Sequence, residues 1–521
     1  MWTGNWREQI WTDLDQPWDL IVIGGGITGA GILREASRAN LKTLLVEGHD
    51  FASGTSSRSS KMVHGGLRYL RNAQVRLTVD SVHERERLLR EGRGLIEPLS
   101  FLIAGYLGDR PPAWIFGLGL MVYDVLGRTW AHHHYDAPQL QELCPHLTGT
   151  DLIGGYQYHD AQTDDARLVL RVIREAVRAG GTALNYARVE GLLCDRTGRV
   201  RGVQLHDQVT GAAQEVITPV VINATGAWAD RLRAHLHERP RLRPLRGSHL
   251  IFPWRQLPLT QAVNFLHPID NRPVFACPWE GVTLVGTTDV DHGANVQTDP
   301  HLTGQEFDYL MMAALYAFRP AGLHLRDAQA TLSGIRPVVD TGQRDPSKES
   351  RESVLWDEHG LLTIAGGKLT TFRLMALEAL RAVRSRLPHR PRFSTRQRML
   401  DPIDTELIAD LDPGVALRLF GRYGADTPDL LQAVPSAELQ PIDGLSSVWA
   451  ELRWAARHEG VVHLDDLLLR RVRLGLLLPH GGLAHLDRIR ALTQRELGWS
   501  DKRWLQEVED YTQLWNRCYS V

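Results

Sequence analysis

The chain has 521 residues, more than one ordinary hydrophobic core supports, so we expect two or three domains. Hydrophobic residues make up 43% and charged residues 23% of the sequence, the profile of a soluble globular protein. Lys and Arg (59) nearly balance Asp and Glu (61), so the overall charge does not indicate a nucleic-acid partner.

The cysteines, the N-terminus and the most apolar window argue against a disulfide-rich, a secreted or a membrane-spanning protein. The four cysteines are widely spaced without a C-x-x-C pair, which indicates neither a metal site nor a disulfide framework and fits a reducing compartment such as the cytoplasm. The first twenty residues lack the apolar core of a secretory signal. The most apolar window is 111–127, and its uncharged part ends at Asp124, short of the roughly 20 residues that span a bilayer.

Residues 19–47 combine the elements of a dinucleotide-binding unit. Residues 20–23 form a short apolar run that predicts a buried parallel strand. A G-x-G-x-x-G motif follows it, then a helical pattern over 27–38 and a second strand over 44–46. This order of strand, glycine motif, helix and strand predicts a doubly wound α/β domain.

Each residue of the motif has a physical task. Gly24 permits the tight turn from strand to helix, Gly26 lets the backbone approach a pyrophosphate, and Gly29 lets helix and strand pack closely. The helix N-terminus offers N–H groups to phosphate oxygens. Glu47 can accept hydrogen bonds from an adenosine ribose and would repel a 2′-phosphate, which argues against NADP. The motif alone leaves FAD and NAD both open.

The next region predicts an insertion in this domain. Residues 168–180 form an amphipathic pattern that ends at a glycine, typical of a helix. Short strand-like runs joined by polar turns over 187–217 predict an antiparallel meander. The strand-like run VVINATG (220–226) then returns to the first sheet.

The middle and the end of the chain have different patterns. Residues 241–340 predict a mixed sheet, covered by a helix that begins with a Thr303–Glu306 capping box. Residues 360–387 follow the order strand, Gly-Gly-Lys, helix, and the buried face of this helix is Phe372, Ala376, Leu380 and Val383. From about residue 400 helical periods dominate, which predicts a separate helical domain.

With these elements in place, the sequence resembles the FAD-dependent glycerol-3-phosphate dehydrogenases. The matching stretches run in order over nearly the whole chain: VIGGGITGAGI, TSSRSSKMVHGGLRYL, AWIFGLGLMVYDVLG, NATGAW, RGSHLIFP, SGIRP, AGGKLTTFR and LDDLLLRRVRLGL. The resemblance implies a discontinuous FAD-binding domain (17–90, 150–240 and 330–388), a substrate or cap domain (91–149 and 241–329) and an all-helical C-terminal domain (395–521).

The resemblance also implies an activity and its partners. Members oxidise sn-glycerol 3-phosphate to dihydroxyacetone phosphate and pass the electrons from FAD to a membrane quinone, while a close branch uses oxygen. They are often dimers that contact the inner face of the cell membrane peripherally. An amine or amino-acid oxidase on the same fold is a further alternative, and a redox-silent flavin- or NAD-binding interaction protein is the alternative from another class.

The cofactor residues follow from the motifs and the resemblance. A serine-rich loop from Ser53 would wrap the cofactor with hydroxyl and backbone N–H groups, and paired glycines would let the chain pass close to the flavin ring. The expected cofactor-binding residues are Gly24, Gly26, Thr28, Gly29, Glu47, Thr55, Ser56, Ser57, Ser60, Lys61, His64, Gly65, Gly66, Val189, Gly226, Gly367, Lys368, Leu369 and Thr370.

Substrate recognition is expected to use arginines, because guanidinium forks match a phosphate dianion. The resemblance gives this role to Arg68, Arg336 and Arg351, with Tyr69 projecting toward the substrate. Any of these arginines taken alone is more often a solvated surface residue.

The oxidation of a secondary alcohol needs a group that takes the hydroxyl proton. His249 is the candidate base because imidazole titrates near neutral pH, although a histidine beside a strand is often structural. Arg336 would stabilise the developing alkoxide. Lys368 would lie near the negative charge of the reduced cofactor, and roles for it in phosphate binding or as the base stay open.

Surface features of the sequence leave alternatives. Trp2, Trp6, Ile10 and Leu14 share one helical face, which would either meet a bilayer surface or pack on the protein. His132–His134 are expected in a polar surface loop rather than a metal site. The stretch RRVRLGL (470–476) predicts a basic-apolar helix that packs between domains with its arginines exposed.

Overall fold

The structure is a computed structural model that describes residues 2–66, 75–110, 112–127, 131–293, 296, 299–343, 349, 352–402 and 411–521. The strands in these ranges are, in chain order, β1 Leu20–Ile23, β2 Thr43–Val46, β3 Met62–Val63, β4 Ile96–Tyr106, β5 His133–Tyr135, β6 Leu152–Thr163, β7 Thr182–Leu184, β8 Ala187–Cys194, β9 Val200–Asp207, β10 Ala213–Ile217, β11 Val221–Asn223, β12 Leu242–Pro253, β13 Ala262–Leu266, β14 Pro273–Trp279, β15 Val282–Gly286, β16 Val290–Asp291, β17 Ala330–Val339, β18 Ser353–Glu358 and β19 Leu361–Gly366.

The α-helices in the same ranges are, in chain order, α1 Trp6–Thr12, α2 Ile27–Arg38, α3 Val75–Glu91, α4 Ala113–Gly127, α5 Ala137–Leu143, α6 Asp165–Arg178, α7 Ala229–Ala234, α8 Gly304–Ala317, α9 Phe372–Val383, α10 Pro413–Tyr423, α11 Thr427–Ala433, α12 Trp449–His458, α13 Leu464–Asp466, α14 Leu474–Leu477, α15 Leu486–Thr493 and α16 Asp501–Cys518.

The first sheet has the strand order β18–β19–β11–β1–β2–β7 and is parallel except at its edge strand β18. Every residue of β1 is buried, as expected for a strand that is covered on both faces. Leu20 and Val22 pack toward helix α2, whereas Ile21 and Ile23 pack toward the meander β8–β10. This confirms the predicted doubly wound domain with an inserted antiparallel meander.

The second sheet has the order β16–β12–β15–β14–β13–β4–β6–β3, with β17 paired to β12 and β5 paired to β6. It is mixed, because β4 and β13 run parallel while their other neighbours are antiparallel. Helix α8 covers one face, and its predicted capping box is present: Thr303 Oγ1 accepts from Glu306 N, and Glu306 Oε2 accepts from Thr303 N. The mixed sheet with a covering helix is therefore confirmed.

The strands of the second sheet come from several parts of the chain. β6 and β17 pair in this sheet, although the predicted ranges 150–240 and 330–388 assigned them to the FAD-binding domain. The long β12–β17 pair thus runs beside the first sheet rather than within it. The predicted domain boundaries themselves stay a prediction.

The C-terminal part is helical, as predicted, but the stretch 470–476 differs from the expected helix. A π-helical turn, Leu467–Arg471, is followed by Arg473 with φ of 65°, and this left-handed residue separates the turn from α14. Arg470, Arg471 and Arg473 are buried, so the prediction that these arginines are exposed was wrong. Their guanidinium groups are held by carboxylate and carbonyl oxygens, which is what buried charges require.

The aromatic face at the N-terminus packs on the protein. The Trp2 ring stacks on Phe51 with centroids 5.3 Å apart, and its Nε1 donates to the Ala183 carbonyl. Trp2 and Leu14 are buried, so this face does not offer the membrane contact that the sequence left open. Among the described residues, no helix is both long enough and apolar enough to cross a membrane.

Candidate active site

The carboxyl ends of four strands of the first sheet border a cavity of about 470 Å³. Gly24, Glu47, Gly226 and Gly367 follow β1, β2, β11 and β19 and line it. Because these strands are parallel, the loops that follow them meet at one edge, where ligands bind in such sheets. The volume is in the range of small-molecule and cofactor sites.

The glycine turn after β1 leaves no room for side chains. Gly24 has φ of +111°, and a Cβ atom there would lie 2.6 Å from the Ala224 carbonyl oxygen. A Cβ atom at Gly29 would lie 1.9 Å from the Gly24 carbonyl oxygen, so Gly29 sets the close packing of α2 on β1. The Ser56 hydroxyl accepts from the N–H of Ile27, the first residue of α2. The next N–H groups of a helix have no intrahelical partner and suit an anion.

Glu47 is fixed at the end of β2. Its Oε2 accepts from Gly25 N at 2.7 Å, and its Oε1 accepts from His49 N at 2.9 Å. Each carboxylate oxygen keeps further acceptor capacity, and the residue lines the cavity. The carboxylate is thus pre-oriented for the hydroxyl groups of a ribose.

The serine-rich loop divides into two parts. Thr55 and Ser56 line the cavity, and Thr55 Oγ1 donates to the carbonyl of Ile335 at 2.5 Å. Ser57 and Lys61 do not line it: Lys61 Nζ donates to the Ser57 carbonyl and to Asp165. Burial and the nearby arginine at position 473 lower the pKa of Lys61 to about 8.

The stretch with paired glycines lies against the Gly-Gly-Lys turn. The Thr370 hydroxyl accepts from His64 N and donates to the His64 carbonyl, both at 3.2 Å. Gly65 N donates to Asp160 Oδ1, and a Cβ atom on Gly65 would lie 2.1 Å from the hydroxyl of Tyr123. Lys368 lines the cavity nearby, and its Nζ donates to Ser81 Oγ at 2.9 Å.

His249 lies in the buried β12 strand of the second sheet. Its Nε2 is 2.8 Å from Ser60 Oγ, which ties it to the serine-rich loop. Burial, and then the positive charges of Arg336 and Lys61, lower the pKa of His249 to about 3. The imidazole is therefore neutral at physiological pH.

Arg336 lies beside His249 on the paired strand β17. The residue pairs in register with Leu245, and its guanidinium lies over Gly247, where a Cβ atom would be 2.4 Å away. Nη1 donates to Asp289 Oδ1 at 2.9 Å and Nη2 donates to Thr287 Oγ1 at 3.1 Å. The fork is thus oriented while about a fifth of the side chain stays exposed.

The predicted site residues fall into three groups. Those that line the cavity are Gly24, Gly26, Thr28, Glu47, Thr55, Ser56, Val189, Gly226, Gly367, Lys368 and Leu369. Those placed around it without lining it are Gly29, Ser57, Ser60, Lys61, His64, Gly65, Gly66, Thr370, His249 and Arg336. Arg68, Tyr69 and Arg351 lie outside the described residues.

Some lining residues were missed from the sequence. Arg188, Trp228, Arg231, His235 and Pro337 also line the cavity. Trp228 is the last residue of the NATGAW stretch and Pro337 follows SGIR, so these two motifs could have indicated them. Arg188, Arg231 and His235 lie in no motif that indicates a role in the cavity. In the described ranges no histidine, cysteine and carboxylate cluster could hold a metal, and the four cysteines are free.

The fold and the cavity are those of a dinucleotide-binding protein, and comparison with known proteins shows the class. Residues 19–373 match the family model described as FAD dependent oxidoreductase, and residues 374–504 match the C-terminal domain of alpha-glycerophosphate oxidase. The chain belongs to the FAD-dependent oxidoreductase family.

Its relatives are more specific. A Staphylococcus saprophyticus protein named aerobic glycerol-3-phosphate dehydrogenase is 33% identical over 493 residues, 89% of this chain and 88% of that protein. The structure of a Bacillus halodurans glycerol-3-phosphate dehydrogenase complexed with FAD is 27% identical with a TM-score of 0.79, over 99% of this chain and 98% of that one. An FAD-bound L-alpha-glycerophosphate oxidase from Mycoplasma pneumoniae (18% identical, TM-score 0.59, 75% of this chain and 99% of that one) shares the fold.

The cavity fits FAD, so the expected cofactor is confirmed at the level of the family. The glycine turn and the N-terminus of α2 suit the pyrophosphate, and Glu47 suits the adenosine ribose. Gly366 and Gly367, both at positive φ, let the chain pass close to a planar ring at the other end of the cavity.

Because the imidazole of His249 is buried and neutral, the free energy of unfolding of the protein should depend on pH below neutrality. In the unfolded chain it takes up a proton near pH 6.5, whereas in the folded protein it does so only near pH 3, so its contribution to stability is present above 6.5 and is lost as the pH falls through this window. From pH 6.5 to 4 the free energy of unfolding should fall by about 3 kcal/mol relative to a His249→Gln variant. Urea unfolding at a series of pH values measures this, and parallel profiles would contradict it.

Proposed function

We propose that the protein oxidises sn-glycerol 3-phosphate to dihydroxyacetone phosphate, using FAD, and passes the electrons to a membrane quinone. The observation that carries the proposal is the placement of Arg336 and His249 on adjacent strands. Ser60, on the loop beside the cofactor cavity, contacts His249, and Thr55 of the same loop donates to the carbonyl of Ile335, the residue before Arg336. An anion-binding fork and a neutral base thus lie together next to a cavity that suits FAD. The names of the relatives support the same reaction.

In this proposal Arg336 binds the substrate. Its guanidinium is held by Asp289 and Thr287, so the fork is oriented before an anion arrives. Arg68 and Arg351, with Tyr69, complete the phosphate-binding set that the resemblance implies. A guanidinium beside the C2 oxygen also stabilises the negative charge that develops there.

His249 takes the proton from the C2 hydroxyl. Its ring is neutral, and Ser60 fixes the ring orientation through Nε2. In the substrate-free protein the positive charge of Arg336 is one cause of the low pKa of His249. A bound phosphate dianion opposes that charge, so the pKa of His249 rises and the imidazole becomes a stronger base when substrate is present.

Bound FAD would supply the acceptor for the hydride that leaves C2. Lys368 lines the cavity close to the N-terminus of α9, and both place positive charge where negative charge gathers on reduction. The remaining predicted cofactor residues hold the nucleotide and the ring in this proposal, including Lys61 and Ser57 through the loop that they fix.

Substrate identity is tested by anaerobic bleaching. The yellow purified protein should lose the visible absorbance of oxidised flavin with sn-glycerol 3-phosphate and keep it with glycerol, glycine and sarcosine. Bleaching by glycine or sarcosine alone would favour an amine oxidase, and a protein that no substrate bleaches would be the redox-silent alternative.

The substrate role of Arg336 is tested by Arg336→Lys. The lysine keeps the charge but loses the fork, so kcat/KM should fall on the order of 10²-fold or more with flavin content unchanged. Arg243→Lys is the matched control, because Arg243 is similarly exposed (19% against 21%) and pairs with Asp291 on the same sheet. Equal activity of the two variants would show that Arg336 does not bind the substrate.

The electron acceptor is tested by reoxidation of the substrate-reduced protein. A short-chain quinone should reoxidise it at least about ten times faster than dissolved oxygen does, measured under matched concentrations. Stoichiometric hydrogen peroxide instead would identify the oxygen-using alternative, the activity named for the oxidase relative. The homodimer that the resemblance implies remains part of this proposal.

Peripheral contact with the inner face of the membrane is assigned in this proposal to α4. One face of this helix exposes Trp114, Ile115, Leu118, Met121 and Val122, while Leu120 and Tyr123 on the other face are buried. Such an apolar face with a tryptophan suits the surface of a bilayer.

Leu118→Glu should weaken binding to vesicles of anionic phospholipid about tenfold, because it places a charge in the apolar face. Leu505→Glu, a comparably exposed leucine on α16 (65% against 57%), is the control and should bind as the wild type does. Sedimentation with vesicles measures this, and equal binding of both variants would place the contact elsewhere.

A further inference from the structure

The helical C-terminal part forms hydrogen bonds and ring contacts with the loop that faces the cofactor cavity. We name residues 50–61 the cofactor loop and residues 467–473 the arginine turn. The cofactor loop begins three residues after Glu47, and it includes Thr55 and Ser56 of the cavity wall. It contains little regular structure, one 3₁₀ turn over Thr55–Ser57, so its polar groups need partners from elsewhere.

The first anchor holds the start of the cofactor loop. Arg470 Nε donates to Asp50 Oδ2 at 2.5 Å. Arg471 donates to both Asp50 oxygens, Nη1 to Oδ2 at 2.5 Å and Nη2 to Oδ1 at 2.8 Å. All three side chains are buried, and Asn185 also donates to Asp50. A bidentate pair of this kind fixes geometry as well as charge.

The second anchor holds the middle of the cofactor loop. Arg473 Nη2 donates to the Ser57 carbonyl at 2.8 Å, and the same carbonyl accepts from Lys61 Nζ at 2.7 Å. Arg473 and Lys61 both lie over the ring of Trp279, at 5.5 and 5.2 Å. Arg473 itself has a left-handed backbone, with φ of 65°, directly before α14.

The third anchor comes from the end of the chain. The guanidinium of Arg58 lies 5.6 Å from the centre of the Tyr519 ring, and the Tyr519 carbonyl accepts from Thr331 N in β17. Arg58 also donates to Asp299. The cofactor loop is therefore held at Asp50, Ser57 and Arg58 by residues that follow it by more than 400 positions.

We propose that the arginine turn is a positioning element for the cofactor: Arg473, with Arg470 and Arg471, orders the cofactor loop so that Thr55 and Ser56 face the cavity and Ser60 reaches His249. Ordering a loop costs conformational entropy, and preorganisation by the C-terminal part removes that cost from cofactor binding. Only the link to His249 rests on the proposed function; the effect on the cofactor does not.

The test compares Arg473→Met with Arg418→Met. Arg418 is also buried and joins the helical part to Glu280, in the turn between β14 and β15 of the second sheet, without contacting the cofactor loop in the described structure. The FAD dissociation constant of cofactor-free protein is measured by flavin fluorescence. Arg473→Met should weaken FAD about 10- to 100-fold, the loss expected for a charged hydrogen bond, and Arg418→Met less than about threefold.

A second readout reports on the loop itself. Trypsin cleaves after Arg58 and Lys61, which are buried in the intact loop. In cofactor-free Arg473→Met these two cuts should appear at least about ten times faster than in the wild type or in Arg418→Met, because the loop opens locally. Arg473→Lys, which keeps a donor for the Ser57 carbonyl, should recover part of both effects.

Equal FAD affinity and equal cleavage in the two methionine variants would overturn the proposal. If Arg473→Met does not fold, Asp50→Asn tests the first anchor, and unchanged FAD affinity and cleavage there would overturn the proposal in the same way. Failure of the glycerol-phosphate bleaching test leaves these readouts in place, so the two proposals fail separately.

Discussion

The structure depends on one constraint: the N-terminus of α2 must reach the carboxyl edge of the parallel sheet without any side chain between them. Gly24 and Gly29 meet that constraint, since a single methyl group at either would collide with backbone oxygens. The cavity wall is arranged around this turn, including Glu47, whose carboxylate is tied to the N–H of Gly25. In the proposed function, the second sheet brings Arg336 and His249 next to this cavity through the cofactor loop.

Local pattern was enough to predict much of this from the sequence. Helix α2 spans the predicted residues 27–38, the meander and β11 lie where expected, and Phe372, Ala376, Leu380 and Val383 are all fully buried. These elements follow from short-range rules: glycine spacing, apolar periodicity and capping. The resemblance to a known family added the cofactor and the reaction class, because no single motif distinguished an FAD-binding protein from an NAD-binding one.

What the sequence did not reveal depends on contacts between distant segments. Arg471 and Asp50 are 421 positions apart, and nothing in the local pattern of RRVRLGL separates an arginine that is exposed from one that is buried against a carboxylate. The N-terminal aromatic face posed the same problem, because its amphipathic spacing suits a bilayer as well as the neighbouring Phe51. Arg188, Arg231 and His235 reach the cavity only through the fold, so no spacing rule indicates them.

The reach of the arginine turn across the chain has a consequence for biosynthesis. A ribosome has made nine-tenths of the polypeptide before Arg470, Arg471 and Arg473 leave the exit tunnel, so until then Asp50 and the Ser57 carbonyl lack the arginine partners that they have in the finished molecule. If the arginine turn orders the cofactor loop as proposed, a nascent chain with a complete glycine turn is not yet ready to bind its flavin. On that proposal flavin is incorporated late, after synthesis, and a chain truncated before residue 470 should emerge colourless.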